Sequence, residues 1–140
     1  MMYAIIIGGG KIGYGIAKWL LDSGVEITVI EQNSDKCIPI NQLHGDIAVT
    51  GDAVNTILLE KTGIERADML ISTLSSDNDN LLICQLAKHK YAVSNVLALV
   101  NNPNNRNLFS VLGIDHSIDF AEGIVNRFQE DIGKLLVEEV

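Results

Sequence analysis

A glycine-rich segment near the start of the sequence has the residue types and spacing of a phosphate-binding turn. Gly8, Gly10 and Gly13 form the pattern G-x-G-x-x-G directly after an apolar run that predicts a β-strand. Gly8 permits a tight turn, Gly10 lacks a side chain that would hold a pyrophosphate away, and Gly13 lets the next helix pack closely. The N–H groups and partial positive charge at that helix start attract phosphate oxygens. The predicted binding segment consists of Gly8, Gly9, Gly10, Lys11, Ile12 and Gly13.

An acidic residue stands at the end of the next predicted strand. Glu31 lies about 20 residues beyond the glycines, where a carboxylate accepts hydrogen bonds from both hydroxyls of a ribose. Its negative charge repels a 2′-phosphate, so the predicted ligand is NAD(H), ATP, ADP or AMP, and NADP is disfavoured. A purely structural turn is the alternative. It is disfavoured because strand, glycines, helix, second strand and acid follow one another in this order.

Two polar segments follow the third and fourth predicted strands. The carboxyl ends of parallel strands meet at one edge of a sheet, so small and polar residues there could frame an adenine, a ribose or a phosphate. Helix capping is an equally favoured interpretation, because Asp52 and Ser76 suit the N-cap position and Asp77 and Asp79 suit a first turn. The candidate contacts in these segments are Asp52, Ala53, Thr73, Leu74, Ser75, Asp77 and Asn80.

Short β-rich segments alternate with helical patterns along the whole sequence. This alternation predicts βαβ units around a parallel sheet, and unbroken apolar runs are typical of strands covered on both faces. The predicted fold class is α/β, a Rossmann-type doubly wound parallel sheet of about six strands with helices on both faces. The predicted strands are Tyr3–Ile7, Glu26–Glu31, Ile47–Thr50, Met69–Ser72, Asn95–Val100 and Ser117–Phe120.

Helical periodicity fills the intervals between the predicted strands. Apolar residues three or four positions apart indicate buried helix faces, and Gly24, Gly63 and Gly113 stand where helices are expected to stop. Pro39 weakens the second helical pattern. The predicted helices are Lys11–Ser23, Ser34–Gln42, Ala53–Thr62, Asp77–Lys90, Asn104–Leu112 and a last helix from about Ala121, with Ile124, Val125, Phe128, Ile132 and Leu135 on one face.

Composition bounds the class of protein. The chain has 140 residues, which fits one domain, and its 47% hydrophobic and 20% charged residues are typical of a folded globular protein. Ten basic against 18 acidic residues give a net charge of −8, which disfavours nucleic acid as a partner. No apolar run approaches the roughly 20 residues that span a bilayer, and no signal peptide is evident. The predicted location is the cytoplasm, without direct membrane insertion.

Residues for catalysis or metal binding are not arranged in a recognisable motif. The three histidines, His44, His89 and His116, lack the spacing of a metal site, and Cys37 and Cys84 lack a CxxC pattern. The sequence also lacks a nucleophile elbow and the GxxxxGK[ST] phosphate loop. We therefore predict no metal site, no catalytic residues and no enzymatic activity.

The ordered set of motifs resembles the RCK or KTN family of potassium transport regulators, represented by the N-terminal domain of TrkA. The resemblance covers nearly the whole sequence. Three residues depart from it: many relatives carry a threonine in place of Leu74 and an arginine in place of Leu99 and of Lys11. The motifs are the glycine turn with Ala17, Glu31, Gly51-Asp52-Ala53, Leu58, Gly63-Ile64-Glu65-Arg66-Ala67-Asp68, Ser76-Asp77-x-x-Asn80-Leu81-Leu82, Val100-Asn101-Asn102-Pro103, Leu108-Phe109 and Gly113-Ile114-Asp115.

This resemblance implies a role in regulation. Such domains lie on the cytosolic side of potassium channels or uptake systems, bind NAD(H), ATP, ADP or AMP as effectors, and form dimers that often assemble into rings. It implies one nucleotide-binding domain over residues 1–140, at the inner face of the cell membrane. The implied partner is a membrane-embedded potassium transporter or channel subunit. The last helix, from about residue 121, is implied at a subunit interface.

Two other functions stay open from the sequence. One is the cofactor domain of an NAD-dependent oxidoreductase, which shares the glycine turn and the acid. The other is the related regulatory domain of potassium efflux systems that respond to glutathione adducts and AMP. Turnover of a simple alcohol, aldehyde or hydroxy acid would indicate the first, and glutathione binding the second.

Overall fold

Strands and helices alternate throughout a computed structural model that describes residues 1–114 and 116–138. Asp115, in the last of the quoted motifs, lies outside the described residues. The strands are β1 (Tyr3–Ile7), β2 (Glu26–Glu31), β3 (Ala48–Thr50), β4 (Met69–Ser72), β5 (Asn95–Val100) and β6 (His116–Asp119). The helices are α1 (Lys11–Asp22), α2 (Ser34–His44), α3 (Thr56–Lys61), α4 (Asp77–Gln85), α5 (Arg106–Val111) and α6 (Phe120–Glu138).

The six strands form one parallel sheet in the order β3-β2-β1-β4-β5-β6. The chain starts in the middle of the sheet, builds towards one edge through β3, and then crosses back to build towards the other. This order confirms the doubly wound Rossmann-type fold. The direction of winding reverses between β1 and β4, and ligands of open α/β sheets bind at the carboxyl ends of the strands at such a point.

Alternate residues of β1 enter two separate cores, one on each face of the sheet. Ile5 and Ile7 pack in the core that includes Ile83 of α4 and Phe109 of α5. Ala4 and Ile6 pack on the opposite face with residues of α1 and α2. Every residue of β1 is therefore buried, which is why its sequence is apolar without alternation.

The predicted strands agree closely with the observed ones. Four of them, β1, β2, β4 and β5, have the predicted bounds. The third begins one residue later than predicted, and the sixth is shifted by one residue towards the amino terminus. These two are the edge strands of the sheet, where one side has no neighbouring strand to fix the ends.

The third helix begins later than predicted, at Thr56 instead of Ala53. Asp52 does not cap it, so that capping prediction is wrong. Its side chain accepts a hydrogen bond from the N–H of Val54 (3.0 Å) and closes a turn. Asn55 caps α3 by accepting from the N–H of Ile57 (3.0 Å). Two residues with capping side chains stand three positions apart, and the second one starts the helix.

Three other helices differ from the predictions in detail. The second helix continues through Pro39 to His44, held against the sheet by buried Cys37 and Ile40. The predicted helix Asp77–Lys90 is α-helical only to Gln85 and then widens into a π-helical turn over Leu86–Lys90. A short 3₁₀ turn over Pro103–Asn105 precedes α5.

One part of the sheet is not covered by any helix of the described residues. On the face covered by α1 and α2, an apolar groove of about 530 Å³ runs between α1 and the strands β4, β5 and β6. We call this feature the apolar groove. It explains why only part of the predicted apolar face of α1 is buried: Leu20 is buried, whereas Ile12 and Trp19 are exposed. Six of the lining residues are Ile12, Ile16, Trp19, Leu97, Leu99 and Ile118.

The last helix extends from the sheet. It starts at Phe120, close to the predicted start, and none of its residues up to Glu138 is buried. The predicted apolar face is present and exposed, and we call it the α6 stripe. In residues 1–114 and 116–138, no helix is long and apolar enough to cross a membrane. The α6 stripe consists of Ile124, Val125, Phe128, Ile132 and Leu135.

Candidate functional site

The turn between β1 and α1 depends on two glycines that the surrounding backbone requires. Gly8 has a φ of +102°, a conformation that residues with a side chain rarely adopt. Its N–H donates to the carbonyl oxygen of Ile30 (2.9 Å), which fixes the turn against β2. A Cβ atom on Gly13 would lie 1.8 Å from the carbonyl oxygen of Gly8. The helix therefore approaches the strand end more closely than any other residue would allow.

Gly10 differs from these two glycines because no protein atom requires it. A Cβ atom there would meet nothing within 4 Å, and the backbone is extended (φ −76°, ψ −164°). Gly10 is the N-cap residue of α1, and no side chain caps the helix in the described part of the protein. The first N–H groups of α1 therefore face open space, beside the exposed Lys11 and Ile12. This is the arrangement that binds phosphate at a helix start.

Glu31 is buried at the end of β2 and holds the glycine turn in place. Its Oε1 accepts a hydrogen bond from the N–H of Gly9 (2.9 Å), and its Oε2 accepts one from the N–H of Asn33 (2.7 Å). A carboxylate has about four acceptor positions, so two are left for other donors. Glu31 can thus hold the turn and still accept hydrogen bonds from ribose hydroxyls. Sequence analysis missed this bracing role.

Thr73 ties the end of β4 to the end of β1, across the point where the winding reverses. Its N–H and its Oγ1 both donate to the carbonyl oxygen of Ile7 (2.9 and 2.8 Å). Leu74 is half-buried and Ser75 is exposed beyond it. These residues lie opposite the glycine turn at the carboxyl edge of the sheet, as predicted.

Asn80 is completely buried and shapes the segment after β4. Its Oδ1 accepts from the hydroxyl of Ser72 (2.7 Å) and the N–H of Leu74 (2.9 Å). Its Nδ2 donates to the carbonyl oxygens of Leu74 (2.8 Å) and Leu99 (3.0 Å). These four bonds use all the capacity of the amide, so Asn80 positions the Leu74 turn and has no polar group left for a ligand.

Asp52 and Ala53, the second and third residues after β3, lie on the β3 side of Glu31. Ala53 is buried in the core, and Asp52 is exposed. The N–H of Gly51 donates to the carbonyl oxygen of Glu31 (3.0 Å), which places this segment next to the acid. Asp52 therefore remains a candidate contact, and the hydrogen bond that its carboxylate accepts from the N–H of Val54 shapes its backbone.

Asp77 connects the segments after β4 and β5. Its carboxylate accepts backbone hydrogen bonds from Asn101 (2.7 Å) and Asn102 (2.9 Å) and side-chain bonds from Asn101 (3.1 Å) and Asn105 (2.9 Å). Partial burial raises the pKa of Asp77, but these hydrogen bonds outweigh it and leave the pKa below its ordinary value. The neighbouring Ser76 caps α4 as predicted, accepting from the N–H of Asp79 (3.2 Å).

The acid stability of the protein is expected to depend on Asp77. The folded-state pKa of Asp77 is lowered. Its carboxylate therefore contributes stability above the pKa of an aspartate in the unfolded chain, about 3.9, and that stability is lost as the pH falls through the folded-state pKa. In Asp77→Asn, the free energy of unfolding should be lower at pH 7 and should fall less between pH 5 and pH 3. Urea unfolding at pH 7, 5, 4 and 3 measures both effects.

The matched control is Asp79→Asn, two residues away on the exposed side of the same helix start. It removes the same negative charge but none of the hydrogen bonds from Asn101, Asn102 and Asn105. Its stability should follow the wild-type pH dependence. Equal slopes for Asp77→Asn and the wild type below pH 5 would contradict the role of Asp77.

Comparison with known proteins identifies the family. The TrkA-N domain model matches residues 4–119. The chain is 32% identical over 117 residues to the Trk system potassium uptake protein TrkA homolog of Methanothermobacter thermautotrophicus, covering 84% of this chain and 54% of that protein. It is 30% identical over 134 residues to the Trk system potassium uptake protein TrkA of Mycobacterium tuberculosis, covering 94% and 60%. The chain thus spans between half and two thirds of these relatives.

Solved structures share the fold. GsuK bound to ADP superimposes with a TM-score of 0.78 at 26% identity, over 99% of this chain and 35% of that one. The GsuK channel bound to NAD gives 0.79 at 24% identity, over 99% and 25%. The Kef C-terminal domain of Shewanella denitrificans in its AMP-bound form gives 0.79 at 23% identity, over 95% and 81%. With a family match over most of its length and the glycine turn of that fold, the chain belongs to the TrkA-N domain family.

Proposed function

We propose that this chain is a cytoplasmic, nucleotide-binding regulatory subunit or domain of a potassium uptake system or channel. The observation that carries the proposal is the open, uncapped start of α1 at Gly10, next to the buried carboxylate of Glu31. A phosphate at the start of α1 and a ribose at Glu31 would lie next to each other at the carboxyl edge of the sheet. The relatives named as potassium uptake proteins support the physiological role.

The proposed ligand is NAD(H), ATP, ADP or AMP, with NADP disfavoured. A 2′-phosphate would meet the Glu31 carboxylate, whose two oxygens are already held in place by backbone N–H groups. The solved neighbours bound to ADP, NAD and AMP support an adenine nucleotide. In the proposed site, the segment from Gly8 to Gly13 contacts the phosphates, Glu31 the ribose, and Asp52, Thr73, Leu74 and Ser75 the remaining edges. Asp77, Asn80 and Ala53 keep these segments in position.

The proposed action is sensing without a chemical step. A nucleotide that binds one arrangement of a dimer better than another shifts the population between them, and such couplings are typically about 1 to 3 kcal/mol. The proposed assembly is a homodimer that can assemble further into a ring, in contact with a membrane-embedded potassium transporter or channel subunit. The exposed α6 stripe supports a subunit interface, because monomeric proteins rarely leave an apolar strip of this size exposed to water.

A panel of nucleotides tests the ligand directly. ATP, ADP, AMP, NAD⁺, NADH and NADP⁺ are each titrated against thermal unfolding of the full chain. A ligand at 100 times its dissociation constant stabilises the folded state by about 2.7 kcal/mol, so the order of affinities follows from the shifts. We expect at least one unphosphorylated adenine nucleotide to stabilise the protein and NADP⁺ not to. No shift with any of the six would contradict the proposed function, and added glutathione tests the efflux alternative.

A Glu31→Gln variant should weaken binding of the best nucleotide by about 10-fold or more, because hydrogen bonds to a charged acceptor are lost. The variant should also reduce the ratio between the affinity for that nucleotide and the affinity for NADP⁺. Isothermal titration calorimetry measures both. The control is Asp46→Asn, which removes an exposed charge beyond the end of α2 and should leave affinity unchanged. If Glu31→Gln has the affinity and the nucleotide preference of the wild type, Glu31 does not contact the ligand.

A further inference from the structure

The segments on the β4 side of the glycine turn carry almost no positive charge. Residues 67–87, which contain β4 and the start of α4, include no lysine, arginine or histidine. The same holds for residues 91–105, which contain β5 and the turn after it. Arg106, the next basic residue, forms an ion pair with Glu122. Lys11, within the glycine turn, is the one basic residue among the segments that directly follow β1, β4 and β5.

The turn after β5 has several hydrogen-bond donors at this edge of the sheet, and the chain fills it with its own anion. The backbone N–H groups of Asn101 and Asn102 donate to the carboxylate of Asp77 (2.7 and 2.9 Å). The side-chain amides of Asn101 and Asn105 donate to the same carboxylate (3.1 and 2.9 Å). Successive backbone N–H groups that converge in this way form an anion-binding concavity. Because Asp77 occupies it, these donors are not available to a phosphate.

The start of α4 is a second place at this edge where a phosphate could bind, and it also carries acidic residues. Unpaired N–H groups at a helix start attract phosphate. In α4, the hydroxyl of Ser76 accepts from the N–H of Asp79 (3.2 Å), and the first turn holds the carboxylates of Asp77 and Asp79. In α1, no side chain caps the helix and the first turn has no acidic residue. Of these two helix starts, only the one at the glycine turn is therefore open to phosphate.

This distribution of charge acts differently on the successive phosphates of a nucleotide. The favourable effect of a helix start falls off within the first turn, so α1 attracts only the phosphates next to it. In the sheet, β1 lies between β2 and β4. A nucleotide with its ribose at Glu31 and two phosphates at the glycine turn would therefore extend a third phosphate towards the end of β4. There the third phosphate would meet the carboxylates of Asp77 and Asp79.

We propose that the site excludes a third phosphate, so that its ligands are adenine nucleotides with at most two phosphates and ATP is rejected. Asp77 and Asp79 then determine specificity by repulsion, without contacting a bound ligand. Glu31 acts in the same way against a 2′-phosphate at the other end of the site. The inference rests on the proposed function, because it narrows the class of ligand for the same site to AMP, ADP and NAD(H).

The first test compares ADP with ATP by calorimetry on the full chain, with EDTA present so that Mg²⁺ does not neutralise the phosphates. At low salt, ATP should bind at least about 10-fold more weakly than ADP. The Debye length shrinks from about 30 Å at 0.01 M salt to about 3 Å at 1 M, so the difference should become smaller at high salt. ATP affinity equal to or above that of ADP at low salt would overturn the proposal. A difference that does not change with salt would indicate exclusion by shape and would also overturn it.

The second test reverses one charge at each end of the sheet. Asp79→Lys changes an exposed residue in the first turn of α4, and Asp46→Lys changes an exposed residue between α2 and β3, at the amino edge. Both variants change the net charge by the same amount. The ratio of ATP affinity to ADP affinity should rise by about 10-fold or more in Asp79→Lys and should stay within about twofold of the wild type in Asp46→Lys. Equal ratios in the two variants would overturn the proposal.

Asp77→Asn tests the residue that fills the turn after β5. The variant removes the negative charge and leaves a side chain of similar size. The ratio of ATP affinity to ADP affinity should rise by about fivefold or more, measured at a temperature at which circular dichroism shows that the variant is folded. An unchanged ratio in the folded variant would overturn the role of Asp77. If Asp77→Asn does not fold, the comparison of Asp79→Lys with Asp46→Lys decides the proposal.

AMP and NAD⁺, titrated under the same conditions, separate this inference from the proposed function. Both lack a third phosphate, so we expect at least one of AMP, ADP and NAD⁺ to bind more tightly than ATP. If nucleotides bind and ATP binds most tightly, the exclusion of the third phosphate is wrong and the proposed nucleotide site stands. If none of the four binds, the proposed function is wrong and this inference fails with it.

Discussion

Gly13→Ala is expected to lower the free energy of unfolding by about 3 kcal/mol or more, a large effect for a single methyl group. The added Cβ would lie 1.8 Å from the carbonyl oxygen of Gly8 and 2.9 Å from Oγ1 of Thr73. Neither atom can move freely, because Gly8 donates to Ile30 and Thr73 donates to Ile7. Overpacking typically costs about 1 to 3 kcal/mol, and this contact belongs at or above the upper end. Guanidinium unfolding measures the loss.

The control for this variant is Gly15→Ala, two residues further along the same helix. A Cβ atom on Gly15 would meet nothing within 4 Å, and alanine is favoured over glycine inside a helix by roughly 0.5 to 1 kcal/mol. This variant should therefore unfold at the wild-type denaturant concentration or slightly above it. If Gly13→Ala unfolds at the same concentration as Gly15→Ala, α1 does not approach β1 as closely as described.

Gly10→Val, in contrast to Gly13→Ala, is expected to keep nearly all of its folding stability and to bind nucleotide at least about 100-fold more weakly than the wild type. The extended backbone at Gly10 suits a β-branched residue, and a Cβ atom there meets no protein atom. Loss of the glycine N-cap costs at most about 1 kcal/mol. The valine side chain would instead fill the space in which a phosphate must approach the uncapped N–H groups of α1. Calorimetry with ADP, AMP and NAD⁺ measures the loss.

Gly15→Val provides the matched control for binding. It adds the same side chain five residues away, on an exposed part of α1 that does not face the turn. Its affinity for each nucleotide should equal that of the wild type. Wild-type affinity in Gly10→Val would show that a ligand, if bound, does not approach the backbone there.

The central strands and the glycine turn could be predicted from the sequence because one physical cause produces each pattern. Burial on both faces requires an unbroken apolar run, as in Ile5-Ile6-Ile7, and backbone crowding requires glycine at positions 8 and 13. The start of α3 could not be predicted, since Asp52 and Asn55 are both good capping residues and only the tertiary structure chooses between them.

Other features depend on contacts that no local pattern encodes. Asn80 is polar and lies in a helix, which is typical of an exposed residue, yet it is completely buried and hydrogen-bonded to the hydroxyl of Ser72 and to the backbone of Leu74 and Leu99. Trp19 has the spacing of a core residue, yet it is exposed. Periodicity shows that a surface is to be covered. It does not distinguish a cover within the chain from one on another molecule.

The double attachment of Glu31 constrains how this site could evolve. Here the same carboxylate holds Gly9 on one side and Asn33 on the other. A mutation of Glu31 that admits a 2′-phosphate would also release the turn to which the proposed site assigns the phosphates. Before Glu31 could change, another substitution would therefore have to hold the glycine turn in place. The preference for an unphosphorylated ribose is thus tied to the structure of the turn.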